Sequence, residues 1–82
     1  MPTREDFEKY IDSRISQIQS DYIDLISGEI HRTLGQYPGT NHRMPICCEV
    51  MYEKMNDDDK ILHAPPKRKG ATLKIRYFKR NH

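Results

Sequence analysis

Three sets of side chains in this sequence could do chemistry, and each also has a structural explanation. The adjacent thiols Cys47 and Cys48, with His31, His42, His63 and His82, supply metal-ligand types. Adjacent thiols lack the two-residue spacing that zinc sites use. They read as two small core residues, and His31 as a satisfied core or boundary histidine, so no metal and no cofactor is expected. The second set is the run Asp57-Asp58-Asp59. A hydrolase needs paired carboxylates, or a nucleophile with a base at a defined spacing. This run reads instead as a solvated turn, so no catalytic residue is nominated and the chain is expected not to be an enzyme.

The third set is cationic and lies late in the sequence. Residues 60–82 hold 8 basic residues and no acid, whereas residues 1–59 hold all 12 acids and only 6 of the 14 basic residues. The net charge of +2 therefore conceals a positive pole beside a negative one. Such segregation favours a polyanionic partner, and a solvated strand face followed by a basic tail is the plainer alternative. The nominated contact residues are Lys67, Arg68 and Lys69, then Lys74 and Arg76, then Lys79 and Arg80, with Arg43 elsewhere in the chain.

The element that must present this pole is a hairpin. From Leu73 to Tyr77 apolar and cationic residues alternate, so Leu73, Ile75 and Tyr77 share one face and Lys74 and Arg76 the other. The run Lys60 to Ala64 forms the preceding strand and stops at Pro65-Pro66, because proline donates no ladder hydrogen bond. Gly70 is expected to permit the return turn. Upstream, Thr3 and Asp6 form a capping-box-like start to a helix whose Phe7, Ile11, Ile15 and Ile18 make one stripe, with Tyr10 beside it. Tyr22 to Ile26 is short, aromatic and β-branched, and reads as a strand. Ser27 is expected to cap a second helix from Gly28 to Leu34, ending at Gly35. The turn Gln36-Tyr37-Pro38-Gly39-Thr40 leads to a third helix, from Asn41–Pro45 to about Met55.

On a helical wheel Met44, Ile46, Cys47, Cys48, Val50, Met51 and Met55 cover an arc of roughly 200°, leaving Glu49, Tyr52, Glu53 and Asn56 outside. The third helix is thus mostly buried and acidic where exposed. The resulting order is helix, strand, helix, helix, strand, basic loop, strand: an α+β chain with three helices and a small three-stranded antiparallel sheet. That order resembles the winged helix-turn-helix fold and is similar to small bacterial proteins and domain ends of this fold. The carriers are Ser27-Gly28-Glu29-Ile30-His31-Arg32, Tyr37-Pro38-Gly39, the run from Asn41 to Met51, and Gly70-Ala71-Thr72-Leu73-Lys74-Ile75-Arg76-Tyr77.

The resemblance implies a third helix that enters the major groove of duplex DNA and a wing that touches the backbone. The wing fits this well. The third helix fits poorly, since Glu49 and Glu53 repel phosphate, and Arg43, Asn41 and His42 at its start are its donors. Phe78, beside Lys74 and Arg76, could stack on a nucleobase or cover a core edge. The competing expectation is a protein-interaction module or homodimer that uses the apolar faces of helices 1 and 3.

Composition sets the outer limits. At 82 residues the sequence is expected to form one domain over 1–82, too small to enclose a deep active-site cavity. With 35% hydrophobic and 32% charged residues it holds no apolar run of membrane-spanning length and no signal-peptide core. Two neighbouring thiols cannot form a disulfide framework, which places the chain in a reducing compartment, the cytoplasm.

Overall fold

Helix α1 (Arg4–Ser16) begins as its sequence dictates. The Thr3 hydroxyl accepts from the Asp6 N–H at 3.2 Å and the Asp6 carboxylate accepts from the Thr3 N–H at 2.8 Å, a complete capping box. The computed structural model of the protein describes residues 2–35, 43–66 and 69–80. Within them follow β1 (Tyr22–Ile26), α2 (Ser27–Leu34), α3 (Met44–Glu53), β2 (Lys60–His63) and β3 (Lys74–Phe78). The expected turn at Tyr37-Pro38-Gly39 lies outside the described residues, as do Asn41, His42, Lys67, Arg68 and His82.

The strands form one antiparallel sheet in the order β1-β3-β2. β3 is central: Tyr22 faces Phe78, Asp24 faces Arg76 and Ile26 faces Lys74 on one side, while Lys60 faces Arg76 on the other. The alternation read from sequence holds, since Leu73, Ile75 and Tyr77 are fully buried and Lys74 and Arg76 lie on the outer face. The three helices cover the inner face. Phe7 and Ile11 of α1, Ile30 of α2, and Met44, Cys47, Cys48, Val50 and Met51 of α3 close one core with Leu25, Leu73, Ile75 and Tyr77. Burying each large apolar side chain stabilises the fold by about 1.5–3 kcal/mol. The Tyr77 hydroxyl remains satisfied there, donating to the Met51 carbonyl at 2.7 Å. The helix stripe also ends slightly differently from the simple period: Ile18 lies beyond α1 and is folded back into the interior by the turn after Ser16.

Several local expectations are corrected. Ser27 does not cap α2. Ile26 occupies the N-cap position, and the Ser27 hydroxyl donates instead to the Gly70 carbonyl. The first N–H groups of a helix have no intrahelical partner, and here they find carbonyls in the segment before β3. The Ser27 N–H donates to Leu73 at 2.9 Å and the Gly28 N–H to Ala71 at 3.0 Å. β1 can therefore run straight into α2 with no loop between. Strand β2 stops at His63 rather than Ala64, with a register irregularity between Ile61 and His63. Helix α3 stops at Glu53, so Met55 packs from the following turn. At Gly35 the backbone takes φ 103°, a helix end that L-residues resist.

The close seating of α2 requires the glycine at position 28. A Cβ added there would sit 2.8 Å from the Ala71 carbonyl oxygen, a backbone atom that cannot rotate away. Gly28→Ala should destabilise the protein by about 1–3 kcal/mol through overpacking, although helix propensity alone would favour alanine by nearly 1 kcal/mol. Urea denaturation checks the sign, with Glu29→Ala on the exposed side as reference; a Gly28→Ala variant as stable as the wild type would show that the contact carries no constraint.

Candidate nucleic-acid interface

The nominated cations divide into groups with different duties. Lys67 and Arg68, between β2 and β3 in sequence, lie outside the described residues. Lys69 is exposed, and its ammonium pairs with Glu49 at 3.0 Å. Arg76 is held on the outer sheet face by two bonds to Asp24, at 2.8 and 3.1 Å. Its guanidinium also sits 3.8 Å above the Tyr22 ring, and Tyr22 meets Phe78 edge-on with centroids 6.0 Å apart. Lys74, on the same face, and Lys79, just beyond the strand, form no ion pair among the described residues. Arg43 is exposed at the N-cap of α3, and its backbone N–H donates to His31 Nε2 at 2.7 Å.

Arg80 is half-buried and its charge is committed within the fold. Its guanidinium bonds the Asp59 carboxylate and the carbonyls of Phe78 and Lys54, each at 2.9 Å. The reading of Asp57-Asp58-Asp59 as a solvated turn holds for Asp57 and Asp58, which are exposed in a turn, and fails for Asp59, whose side chain is fully shielded from solvent. Asp59 also accepts from the Asn56 N–H at 2.9 Å and the Phe78 N–H at 2.8 Å, tying the end of α3 to the end of β3. Burial pushes its carboxyl up, but Arg80 and the two amides together hold it below the ordinary carboxylate range.

The acids on α3 have partners that wheel reasoning missed. Arg4, in the first turn of α1, bonds Glu49 and Glu53 at 2.8 Å each. Lys69, then Arg4, hold the Glu49 carboxyl below its usual value. The face of α3 that looked phosphate-repelling thus carries compensated charge. No periodicity within α3 signals this, since the compensating residues are 45 and 20 positions away.

The metal-ligand types serve packing. Cys47 and Cys48 are fully buried free thiols. Burial, aided by its neighbour, pushes Cys47 up to about 12, and burial also raises Cys48. Cys47 Sγ donates to the Ser27 carbonyl, while Cys48 Sγ donates to the Gly70 carbonyl and accepts from the Gly70 N–H, both at 3.3 Å. Gly70 opens the turn expected there, its carbonyl accepting from the Leu73 N–H at 3.4 Å, and it is held in place by these contacts and by a close approach to Pro65. His31 is fully buried, with its ring edge-on to Phe7; Nδ1 lies 3.0 Å from the Gly35 carbonyl and Nε2 accepts from Arg43. These roles fix the neutral tautomer with the proton on Nδ1, and the ring joins the end of α2 to the start of α3. Among the described residues no three His, Cys, Asp or Glu side chains converge to hold a metal ion.

Of the apolar faces of α1 and α3, nominated for a protein partner, Phe7, Ile11, Met44, Cys47, Cys48, Val50 and Met51 are buried in the core, while Ile15, Ile46 and Met55 are partly buried against it. Among the described residues the exposed large apolar side chains are Tyr22, Ile61 and Leu62, all on edge strands of the sheet. No helix among the described residues is long and apolar enough to cross a membrane. Comparison with protein-family models, curated proteins and solved structures finds no match. Function must come from the chain's own charge and geometry.

Asp59 gives this arrangement a pH signature. Because its folded pKa is depressed, its stabilisation is complete above the unfolded carboxylate pKa of about 4 and is lost as pH falls through the folded value. Asp59→Asn should lower stability by about 1–3 kcal/mol near pH 7, by leaving buried donors poorly matched. The gap from wild type should shrink in acid; equal stabilities at neutral pH in denaturant titrations would remove Asp59 from this role.

Proposed function

We propose that the chain is a non-catalytic winged-helix module that binds nucleic acid, duplex DNA in the first instance, through the basic connection between β2 and β3. The observation that carries this reading is the one-sided charge of residues 60–82, with 8 cations and no acid. Two others support it. The element order and the central β3 strand suit a wing hairpin beside a pair of helices. The pairing of Glu49 and Glu53 with Arg4 also weakens the electrostatic objection to bringing α3 near phosphate.

In this reading Lys67 and Arg68 meet the backbone at the wing tip, and Lys69 exchanges Glu49 for a phosphate. Such an exposed pair is worth at most about 1 kcal/mol and exchanges readily. Lys74 and Lys79 extend the footprint, and Arg43 offers a donor at the start of α3. Arg80 is removed from the contact set because its charge is committed to the buried Asp59. The free buried thiols suit a reducing, cytoplasmic setting.

Fluorescence anisotropy with a labelled duplex across salt concentrations tests the reading. Wild type should lose affinity linearly on a log–log plot, with a slope of about −0.9 per phosphate neutralised. Lys67→Ala/Arg68→Ala/Lys69→Ala should weaken binding and flatten that slope by about 2–3. If the triple variant binds duplex as tightly as wild type, the wing is not the contact.

A further inference from the structure

On the outer face of the sheet, away from the core, we infer a base-stacking site for single-stranded nucleic acid built on Tyr22, Arg76 and Phe78. It goes beyond the wing reading in both surface and ligand, since the wing needs only phosphates and this face needs unpaired bases.

Tyr22 and Phe78 are a cross-strand pair at one end of the β1–β3 ladder, and neither belongs to the core cluster. Tyr22 is 38% exposed. Large aromatics on a solvated sheet face leave costly apolar area in water, and the edge-on contact between these two covers only part of it. The third component is rigid: Asp24 grips Arg76 through two bonds and so fixes its guanidinium over the Tyr22 ring. A planar cation stacked on a ring, beside a second ring, offers two π-type surfaces whose orientation is set before any ligand arrives. Nucleobases stack on aromatic rings and guanidinium planes alike.

Charge selects the occupant. Lys60 lies across the ladder from Arg76 and Lys74 is two residues along β3, so both share this face. Asp24, the carboxylate in the β1 ladder on this face, is held ionised against Arg76 and offers no net negative charge. An apolar peptide would bury these lysines without compensation. A single strand satisfies both features, placing bases on the rings and phosphates beside the lysines, whereas a duplex keeps its bases stacked internally and can use only the cations.

Fluorescence anisotropy with labelled oligothymidylate and with an abasic oligonucleotide of equal length separates stacking from charge. Wild type should bind oligothymidylate about 5- to 100-fold more tightly than the abasic strand, the effect of one or two stacked bases. Tyr22→Leu/Phe78→Leu keeps apolar cover on the strands but removes the rings; it should lower oligothymidylate affinity to the abasic level and leave abasic affinity unchanged. Its circular dichroism and urea midpoint establish that it folds. Equal wild-type affinity for the two oligonucleotides, or no binding to either, overturns the proposal. Duplex binding by the same variant should remain at the wild-type level while Lys67→Ala/Arg68→Ala/Lys69→Ala loses it, so failure of the sheet-face site and failure of the wing are read separately.

Discussion

The structure depends on how the first turn of α2 seats against the chain entering β3. Two helix N–H groups that would otherwise lack partners donate to the Ala71 and Leu73 carbonyls, and the Ser27 hydroxyl donates to Gly70. The approach is close enough that only glycine fits at position 28. Cys48, on α3, bonds both polar groups of the Gly70 backbone. The root of the basic connection is therefore fastened to both helices of the α2–α3 pair. Since β3 is also the central strand, the same contact positions the helices over the sheet and the cations beside it.

The second organising constraint is that the positive pole of the sequence is partly used within the fold. Lys69 meets Glu49, Arg76 meets Asp24 and Arg80 meets Asp59. These pairs are not equivalent. Lys69–Glu49 is exposed, and phosphate can displace it at little cost. Arg80–Asp59 has its carboxylate wholly shielded, and separating it would strand a buried charge. Arg76 is intermediate: its charge is balanced, but its plane remains stacked on a solvent-exposed ring. A count of cations thus overstates what a polyanion can reach, and burial decides which of them count.

Much of the fold was legible because its signals are local. The capping box at Thr3 and Asp6, the strand Tyr22–Ile26, the helix end at Gly35 and the two-residue alternation through Ile75 and Tyr77 each depend on neighbours within a few positions. The arc of α3 was equally plain, and Cys47, Cys48, Val50 and Met51 are buried as its wheel requires. Where the reading failed, a side chain with a good local use had a better distant one. Ser27 could cap its helix but bonds Gly70, 43 residues away, and Asp59 could face water but binds Phe78 and Arg80.

The sequence by itself determined the α+β class, the order of elements, the core faces and the division of charge between residues 1–59 and 60–82. Period, capping and charge are properties of residue type and short-range spacing. The tertiary structure alone decided which charges are spent, which glycine is obligatory, and that Tyr22, Arg76 and Phe78 meet on one face. Those outcomes depend on strand register and on the approach of distant backbones. In register, Tyr22 lies opposite Phe78 and Asp24 opposite Arg76; a slip of β1 by one residue would turn Tyr22 and Asp24 to the other side of the sheet, away from Phe78 and Arg76.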